Sequence, residues 1–236
     1  MKLSDVRSQT GTPPVSAFAS STGSPIVLDT DIGAAYAYAK RTSADAAPQV
    51  LEIGGRSGWN DMLASLSASK AVGVNAPTWA TIRDGIQAWA FSASAMNEIW
   101  LNFHIIHNYA AGTTLYPHIH WTTAGTNTGV CRWGFEWTVA KGFNFEAFPA
   151  TSTFYLEAAA SGTAYKHYIT EVADGAALPA TEIDSLLLMR VFRDAANVND
   201  TLTDTAFGLF VDLHYQSDGM LTNEKARTFT KRRGQL

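Results

Sequence analysis

Four of the six histidines in this chain lie close together, on two apolar segments that a glycine-containing turn separates. His104 and His107 precede Gly112, and His118 and His120 follow it. Neutral imidazole nitrogens bind zinc and other divalent metals, and three of them on one face of a hairpin can form a metal site. The alternative is an ordinary two-faced β-sheet that carries histidines on its outer side. The choice between the two decides whether chemistry is expected here.

A hairpin that turns near Gly112 would place His104 opposite His120, so that His104, His118 and His120 share one face. His214, beside Asp212, is a further candidate ligand from a distant segment. Gly112 followed by His118-Ile119-His120 is similar to the start of the cupin metal motif, which a jelly roll carries. In that motif a glutamate follows within a few residues, and none does here.

The sheet interpretation is favoured, because Ile119 and Trp121 alternate with His118 and His120 as the core and outer residues of one strand do. We therefore expect no catalytic residue, no cofactor and no resident metal. If the metal interpretation holds instead, the candidate ligands are His104, His118, His120 and His214.

Composition predicts one main domain with a large core, because 46% of the 236 residues are hydrophobic. The net charge of −4 provides no basic field, which argues against free nucleic acid as a partner. There is no long apolar run, so we expect no membrane segment and a protein made in a bacterial cytosol.

The single cysteine, Cys131, excludes an intrachain disulfide. We interpret Cys131 as a buried small hydrophobe and not as a nucleophile.

Period-two alternation predicts strands over residues 98–107, 132–139 and 207–215. Along the last of these, Phe207, Leu209, Val211, Leu213 and Tyr215 are expected to share one face. Five further strands are predicted over residues 85–92, 115–122, 152–158, 165–172 and 186–193. Strands at this spacing predict an all-β fold, a jelly-roll-like antiparallel β-sandwich with an extended, mostly irregular N-terminal arm.

We expect three parts along the chain: an arm and connector over residues 1–80, the sandwich over 81–222, and a basic tail over 223–236. Residues 8–24 are rich in Ser, Thr, Gly and Pro, and residues 34–41 could form two helical turns. The tail could dock on an acidic neighbouring surface. Its candidate protein-interaction residues are Lys225, Arg227, Lys231, Arg232 and Arg233.

Other functional signals are weaker. Four carboxylates, Glu136, Glu146, Glu157 and Glu171, lie on or near strands without a pairing that the sequence reveals. An aromatic strip follows the strand over 132–139, and it could line a sugar platform, although core or subunit-interface packing is the preferred interpretation. Its members are Trp133, Trp137, Phe143, Phe145 and Phe148.

Several short motifs together are similar to those of a family of largely uncharacterised proteins of tailed bacteriophages. The most specific succession is His107-Asn108-Tyr109, Gly112-Thr113 and Pro117-His118-Ile119-His120-Trp121. The others are Trp59-Asn60-Asp61, Pro77-Thr78-Trp79, Arg83-Asp84-Gly85, Leu188 to Asp194 and Asp212 to Gln216. The resemblance covers residues 59–216 and implies a virion structural protein, without a reaction to transfer, so we expect no enzyme.

The first functional hypothesis is a decoration or cement protein that binds the head surface and bridges neighbouring capsid subunits. Its partners would be the major capsid protein or other virion proteins, and we expect a homo-oligomer, with a trimer favoured. The location would be the virion. Two alternatives stay open: a tail or fibre component that binds a host glycan, and a cupin-like metal-binding protein.

Overall fold

The computed structural model describes residues 6–9, 26–29, 34–39, 49–54, 58–65, 71, 73–110, 112–172, 178–179 and 181–217. Within these ranges the regular structure consists of β-strands, which confirms the all-β prediction. Nowhere in them does a helix reach the length and hydrophobicity that crossing a bilayer requires. The chain divides between Gly58 and Trp59 into two compact units.

The first unit contains a four-stranded sheet in the order β1-β2-β3-β4. Its strands are β1 (Val6–Gln9), β2 (Ile26–Asp29), β3 (Ala34–Ala39) and β4 (Gln49–Gly54). The prediction of helical turns over residues 34–41 is wrong, because β3 pairs antiparallel with both β2 and β4. The physical reason lies in the alternation of Tyr36 and Tyr38 with alanines, which suits a strand of period two.

The second unit is a sandwich of two sheets. Its strands are β5 (Gly58–Ser65), β6 (Thr78–Arg83), β7 (Ile86–Phe91), β8 (Asn97–His104), β9 (Tyr116–Thr123), β10 (Val130–Lys141), β11 (Ser152–Ala159), β12 (Tyr168–Glu171), β13 (Ser185–Arg193) and β14 (Ala206–Ser217). A four-stranded sheet has the order β11-β10-β13-β8. The other sheet has the order β12-β9-β14-β7-β6, with β5 paired to β14.

The pairing of the last eight strands is that of a jelly roll. β7 pairs with β14, β8 with β13, β9 with β12, and β10 with β11, all antiparallel. The chain from β7 to β14 is therefore one long antiparallel ribbon folded back at the connection between β10 and β11. Successive pairs of this ribbon alternate between the two sheets, which is how a jelly roll closes its sandwich.

The core lies between the sheets and follows the alternation read from the sequence. Ile99, Leu101 and Phe103 on β8 are buried, and so are Trp133 and Phe135 on β10. The facing sheet contributes Ile119, Trp121, Val211, Leu213 and Tyr215. Apolar side chains at every second position of facing strands thus form one continuous core.

A β-bulge in β14 corrects one part of the predicted alternation. Gly208 pairs with Trp121 and Phe210 pairs with His120, so Leu209 is an extra residue on this strand. Ala206 and Val211 both lie in the main core, whereas Phe207 packs in a separate small cluster with Ala88, Ala90 and Leu209. The expectation that Phe207 and Leu209 share a face with Val211 is therefore wrong.

Arg193 at the end of β13 is fully buried, and its ion pair and hydrogen bonds connect separate segments of the sandwich. Its Nε and one terminal nitrogen donate to the two Asp200 carboxylate oxygens at 3.0 Å and 2.8 Å. Its other terminal nitrogen donates to the carbonyls of Asp204 at 2.8 Å and of Phe91 at 3.3 Å. The guanidinium thus connects the end of β7 with the segment that leads into β14.

Replacement of Arg193 with Met should lower the free energy of unfolding by about 3–5 kcal/mol, because it leaves the buried Asp200 carboxylate without its counter-charge. Guanidinium denaturation followed by tryptophan fluorescence measures this loss. The matched control is Arg83→Met, since the Arg83–Asp84 pair is exposed and such pairs contribute about 0–1 kcal/mol. Equal losses in both variants would contradict the assigned role of Arg193.

Candidate functional site

The outer side of the six-stranded sheet carries a concentrated group of imidazoles and carboxylates, here called the histidine face. Four adjacent strands, β5, β14, β9 and β12, and the segment just before β12 supply it. Its members are Asp61, His118, His120, His167, Glu171, Asp212 and His214.

Strand register explains why these side chains meet. On β9, His118 lies directly between Glu171 of β12 and Asp212 of β14. His214 of β14 lies opposite Tyr116, one strand period from His118. Because directly paired residues point to the same face, the core positions Ile119 and Val211 face inward while His118 and Asp212 face outward.

Asp212 lies at the centre of the histidine face. Its Oδ1 atom is 2.5 Å from His118 Nε2 and 3.4 Å from His120 Nε2. These three atoms all lie within 4.8 Å of one another. The other ring nitrogen of His120, Nδ1, is hydrogen-bonded to His167 Nε2 at 2.7 Å, and the rings of His120 and His167 stack.

His214 forms a second group next to the first. Its Nε2 is 3.0 Å from Asp61 Oδ1, and its Nδ1 is hydrogen-bonded to Glu171. The His214 ring lies 4.1 Å from the His118 ring, centroid to centroid. Asp61, His118 and His214 therefore form another set of donor atoms within 4.8 Å of one another.

Burial and charge shift the two β9 histidines in opposite directions. Burial lowers the pKa of His118, but the adjacent Asp212 carboxylate, with the Tyr116 carbonyl and Glu171, outweighs it, so the net pKa is raised. Burial lowers the pKa of His120, and the neighbouring His118 and His167 add to this against the attraction of Asp212. His118 therefore keeps a proton to higher pH than His120 does.

A cleft of about 290 Å³ adjoins this face, near the lower end of the size range of small-ligand pockets. Trp59, Tyr116, Glu171, Val172 and His214 line it. Trp59 and Tyr116 meet edge to face with their ring centroids 5.5 Å apart. Two aromatic rings, the Val172 side chain and two ionisable groups thus line the cleft, which shares Glu171 and His214 with the histidine face.

The structure brings together three of the four candidate metal ligands, His118, His120 and His214, but not His104. The predicted hairpin that opposes His104 and His120 is wrong, since β8 pairs with β13 and β9 pairs with β12 and β14. The segment between β8 and β9 crosses from one sheet to the other. His104 Nε2 instead lies 3.0 Å from Asp184, which also approaches His107 Nε2 at 3.3 Å.

The expected positions of Ile119 and Trp121 in the core are confirmed, and His118 and His120 do lie on the opposite face. The His118 side chain is nevertheless only 2% exposed, because the rings of His120 and His214 flank it. Sequence reasoning did not find Asp61, His167 or Glu171 as members of this group. Only the strand pairing reveals these three residues. The alternation of Asp212 and His214 along one strand did indicate that these two side chains share a face.

The four scattered carboxylates have different partners. Glu136 accepts from Thr151 and lies 2.7 Å from Arg190 Nε, and the pKa of its carboxyl is lowered chiefly by the Thr151 hydroxyl. Glu157 pairs with Arg132, Glu171 with His214, and Glu146 accepts from the Lys141 backbone. These contacts do not bring any two of the four together as an acid and base pair.

The predicted aromatic strip is divided in two. Trp133 is in the core and Trp137 is partly buried against it. Phe143, Phe145 and Phe148 are exposed in the loop between β10 and β11. The basic tail with Lys225, Arg227, Lys231, Arg232 and Arg233 lies outside the described residues, so its role stays a prediction.

Comparison with known proteins gives distant likenesses. No protein-family model matches the chain, and no curated protein matches it. Among solved structures, the carbohydrate-binding module TmCBM61 in complex with β-1,4-galactotriose is similar at 14% identity and a TM-score of 0.30, over 69% of this chain and 91% of that one. Dimeric latent PorU from Porphyromonas gingivalis is similar at 12% identity and a TM-score of 0.31, over 77% of this chain. The match spans 14% of PorU.

Cys131 at the start of β10 is buried, and burial raises the pKa of its thiol far above the ordinary value. Because the thiolate is the reactive species, we expect the native protein to react with Ellman's reagent on the order of 100-fold or more slowly than the denatured protein. Cys131→Ser supplies the background rate. Fast labelling of the native thiol would show instead that Cys131 is an accessible nucleophile.

Proposed function

We propose that this chain is a structural protein of a tailed-bacteriophage particle, and that it decorates the head surface and bridges neighbouring capsid subunits. Two features support the proposal. The motifs between residues 59 and 216 are similar to those of a phage virion family, and the strands of this region pair as a jelly roll. Viral capsid domains commonly use this architecture. The chain would then act by binding other proteins and not by catalysis.

The observation that carries the proposal is a loop with three exposed phenylalanines between β10 and β11. Every residue from 142 to 150 is exposed. Phe143 and Phe148 are about half exposed, at 48% and 46%, and Phe145 is 95% exposed. Three phenylalanines displayed in nine residues are costly in water, and such apolar patches mark sites of protein contact.

Phe145 is held in an uncommon backbone conformation. Its φ angle is +51°, in the left-handed region that bulky side chains seldom adopt. The Phe145 N–H donates to the Gly142 carbonyl at 3.2 Å, and the Glu146 carboxylate accepts from the Lys141 N–H at 3.0 Å. Backbone strain of this kind is retained where it serves a function, and here it directs an apolar ring into solvent.

Side-chain hydrogen bonds anchor the loop to the sandwich. Asn144 Nδ2 donates to Glu182 at 3.0 Å, and the Thr138 hydroxyl donates to the Pro149 carbonyl at 2.9 Å. A loop that is already ordered loses little conformational entropy when it binds. The partner that fits is an apolar groove on a neighbouring virion protein, with the major capsid protein as the proposed partner and a homotrimer as the proposed assembly.

Simultaneous replacement of Phe143, Phe145 and Phe148 with Ser should weaken binding of the purified protein to particles that lack it by at least about 30-fold, since buried aromatic anchors dominate interfaces. Quantitative mass spectrometry of washed particles measures occupancy. The free energy of unfolding should change little, because the three rings contribute little to the core.

The matched control is Val198→Ser, which removes an apolar side chain that is 88% exposed in a different loop. This variant should bind as the unaltered protein does. Full particle occupancy by the triple variant would contradict a docking role for the loop.

Deletion of residues 1–24 should lower particle occupancy while the sandwich stays folded, because the arm is proposed to bridge adjacent subunits. Most of this segment lies outside the described residues, so the proposal for it rests on its Ser/Thr/Gly/Pro-rich composition. Thermal unfolding checks the fold, and particle binding checks the function. Unchanged occupancy of the truncated form would count against the bridging role.

Copy number per particle separates the head proposal from its alternative in the tail. Hundreds of copies, localised by a particle reconstruction, agree with a shell protein, whereas a handful agree with a tail or fibre component.

A further inference from the structure

We propose that the histidine face binds one divalent transition-metal ion through His118 Nε2, His120 Nε2 and Asp212 Oδ1. This inference departs from the expectation of no resident metal that the sequence suggested. It rests on atoms that sheet pairing brings together and does not depend on the proposed virion role.

Two of the three donor atoms are buried without a hydrogen-bond partner. These are His120 Nε2 and Asp212 Oδ1. The Asp212 side chain is 7% exposed, and its Oδ1 lies close to His118 Nε2 without the alignment of a hydrogen bond. A buried carboxylate oxygen without an aligned hydrogen bond is costly, and a bound cation removes that cost.

The distances from Asp212 Oδ1 to the two histidine nitrogens are close to those around a metal, and the nitrogens themselves lie within 4.8 Å of each other. Donors around tetrahedral zinc lie roughly 3.3 Å apart, given metal–ligand distances of about 2.0–2.2 Å. The His120 Nε2 to Asp212 Oδ1 distance is 3.4 Å, which already matches. The 2.5 Å between His118 Nε2 and Asp212 Oδ1 has to widen by somewhat less than about 1 Å, within reach of small rotations of the two side chains.

The other ring nitrogens of both histidines face groups that can orient them. His118 Nδ1 faces the Tyr116 carbonyl at 3.5 Å, a distance that a metal-induced rotation can shorten. His120 Nδ1 is 2.7 Å from His167 Nε2. Metal-binding histidines generally engage their second nitrogen in this way, which fixes the ring and leaves Nε2 as the ligand.

The neighbouring set of Asp61, His118 and His214 is a poorer site for the ion. Asp61 is 46% exposed, and both ring nitrogens of His214 already contact carboxylates, Asp61 and Glu171. Both ring nitrogens of His214 are therefore occupied, whereas two donor atoms of the set around Asp212, His120 Nε2 and Asp212 Oδ1, are buried without a hydrogen bond. We therefore assign the ion to Asp212, with His214 as a neighbour of the site.

The donor set of two imidazoles and one carboxylate indicates the class of metal. It suits Zn²⁺, Fe²⁺, Mn²⁺, Co²⁺ and Ni²⁺, and it contains no thiolate that would favour Cu⁺. Three protein ligands leave at least one coordination position for water or another ligand. The ion would also connect β9 with β14, two strands that are remote in sequence, in a chain without a disulfide.

The test uses the full-length chain without a histidine tag, treated with EDTA and dialysed, and titrated with Zn²⁺ in a calorimeter. A parallel titration with Co²⁺ is followed by visible absorption, which reports coordination by nitrogen and oxygen. We expect one ion per chain and a rise in the melting temperature on addition of Zn²⁺.

Asp212→Asn and His120→Asn should each weaken Zn²⁺ binding by more than about 100-fold, since each removes a direct ligand. The His120 variant keeps the test informative if Asp212→Asn fails to fold. The His120 side chain is 20% exposed, so its replacement is better tolerated than that of the buried Asp212. His104→Asn is the matched control, since it also removes an imidazole paired with a carboxylate, at 3.0 Å from Asp184. Its affinity for Zn²⁺ should not change.

Two results would overturn the assignment. If Zn²⁺ does not bind to the unaltered chain at micromolar concentrations, the histidine face is a network of shared protons without an ion. If binding survives in Asp212→Asn and His120→Asn but is lost in Asp61→Asn, the ion belongs to the neighbouring set.

Discussion

The pairing of β9 with β14, with one extra residue at Leu209, is the constraint on which the rest of this sandwich depends. Core residues Ala206 and Val211 differ by an odd number of positions, so a regular strand could not bury both. The bulge resolves this conflict by shifting the phase of β14 once. As a consequence Asp212 and His214 turn outward, on the same face as His118 and His120.

The charged groups on the two sheets differ in how fully their hydrogen bonds are satisfied. On the four-stranded sheet, Arg190 bridges Glu98 and Glu136 while remaining in part accessible to water. Both carboxylates accept hydrogen bonds from the Arg190 guanidinium, so Glu98 is satisfied although it is buried. On the six-stranded sheet, the His118 and Asp212 side chains are almost fully buried, yet their contact lacks hydrogen-bond alignment. A buried polar group that is incompletely satisfied is costly, so its presence favours a function over a purely structural role.

The jelly roll keeps its buried core separate from the two surfaces that we propose as binding surfaces. The phenylalanine loop lies where the ribbon folds back between β10 and β11, and the histidine face lies on the outer side of the β9 and β14 pair. An apolar loop suits contact with another protein, whereas a cluster of imidazoles and carboxylates suits an ion. Both roles agree with a protein that works by assembly: one surface would attach it, and a bound ion would connect two strands of its sheet.

The sequence by itself determined the eight strands from β7 to β14 and which residues of most of these strands face the core, but it did not predict β1, β4, β5 or β6. Alternation of side chains is a local property, so Ile99, Leu101 and Phe103, or Trp133 and Phe135, could be assigned from their spacing alone. The same alternation failed at Leu209, because a bulge is required by the partner strand and not by local sequence. The prediction from sequence also failed at β3, where two helical turns were expected and the structure has a strand.

Only the tertiary structure decided which histidines meet. His104 and His120 are close in sequence, and a hairpin was the simplest way to join their segments, but the ribbon places them in different sheets. Asp61, His118 and Asp212 come from three distant segments and meet because β5 and β9 both pair with β14. Strand pairing is set by the closure of the whole core, a nonlocal free energy that the spacing of residues along one segment does not contain.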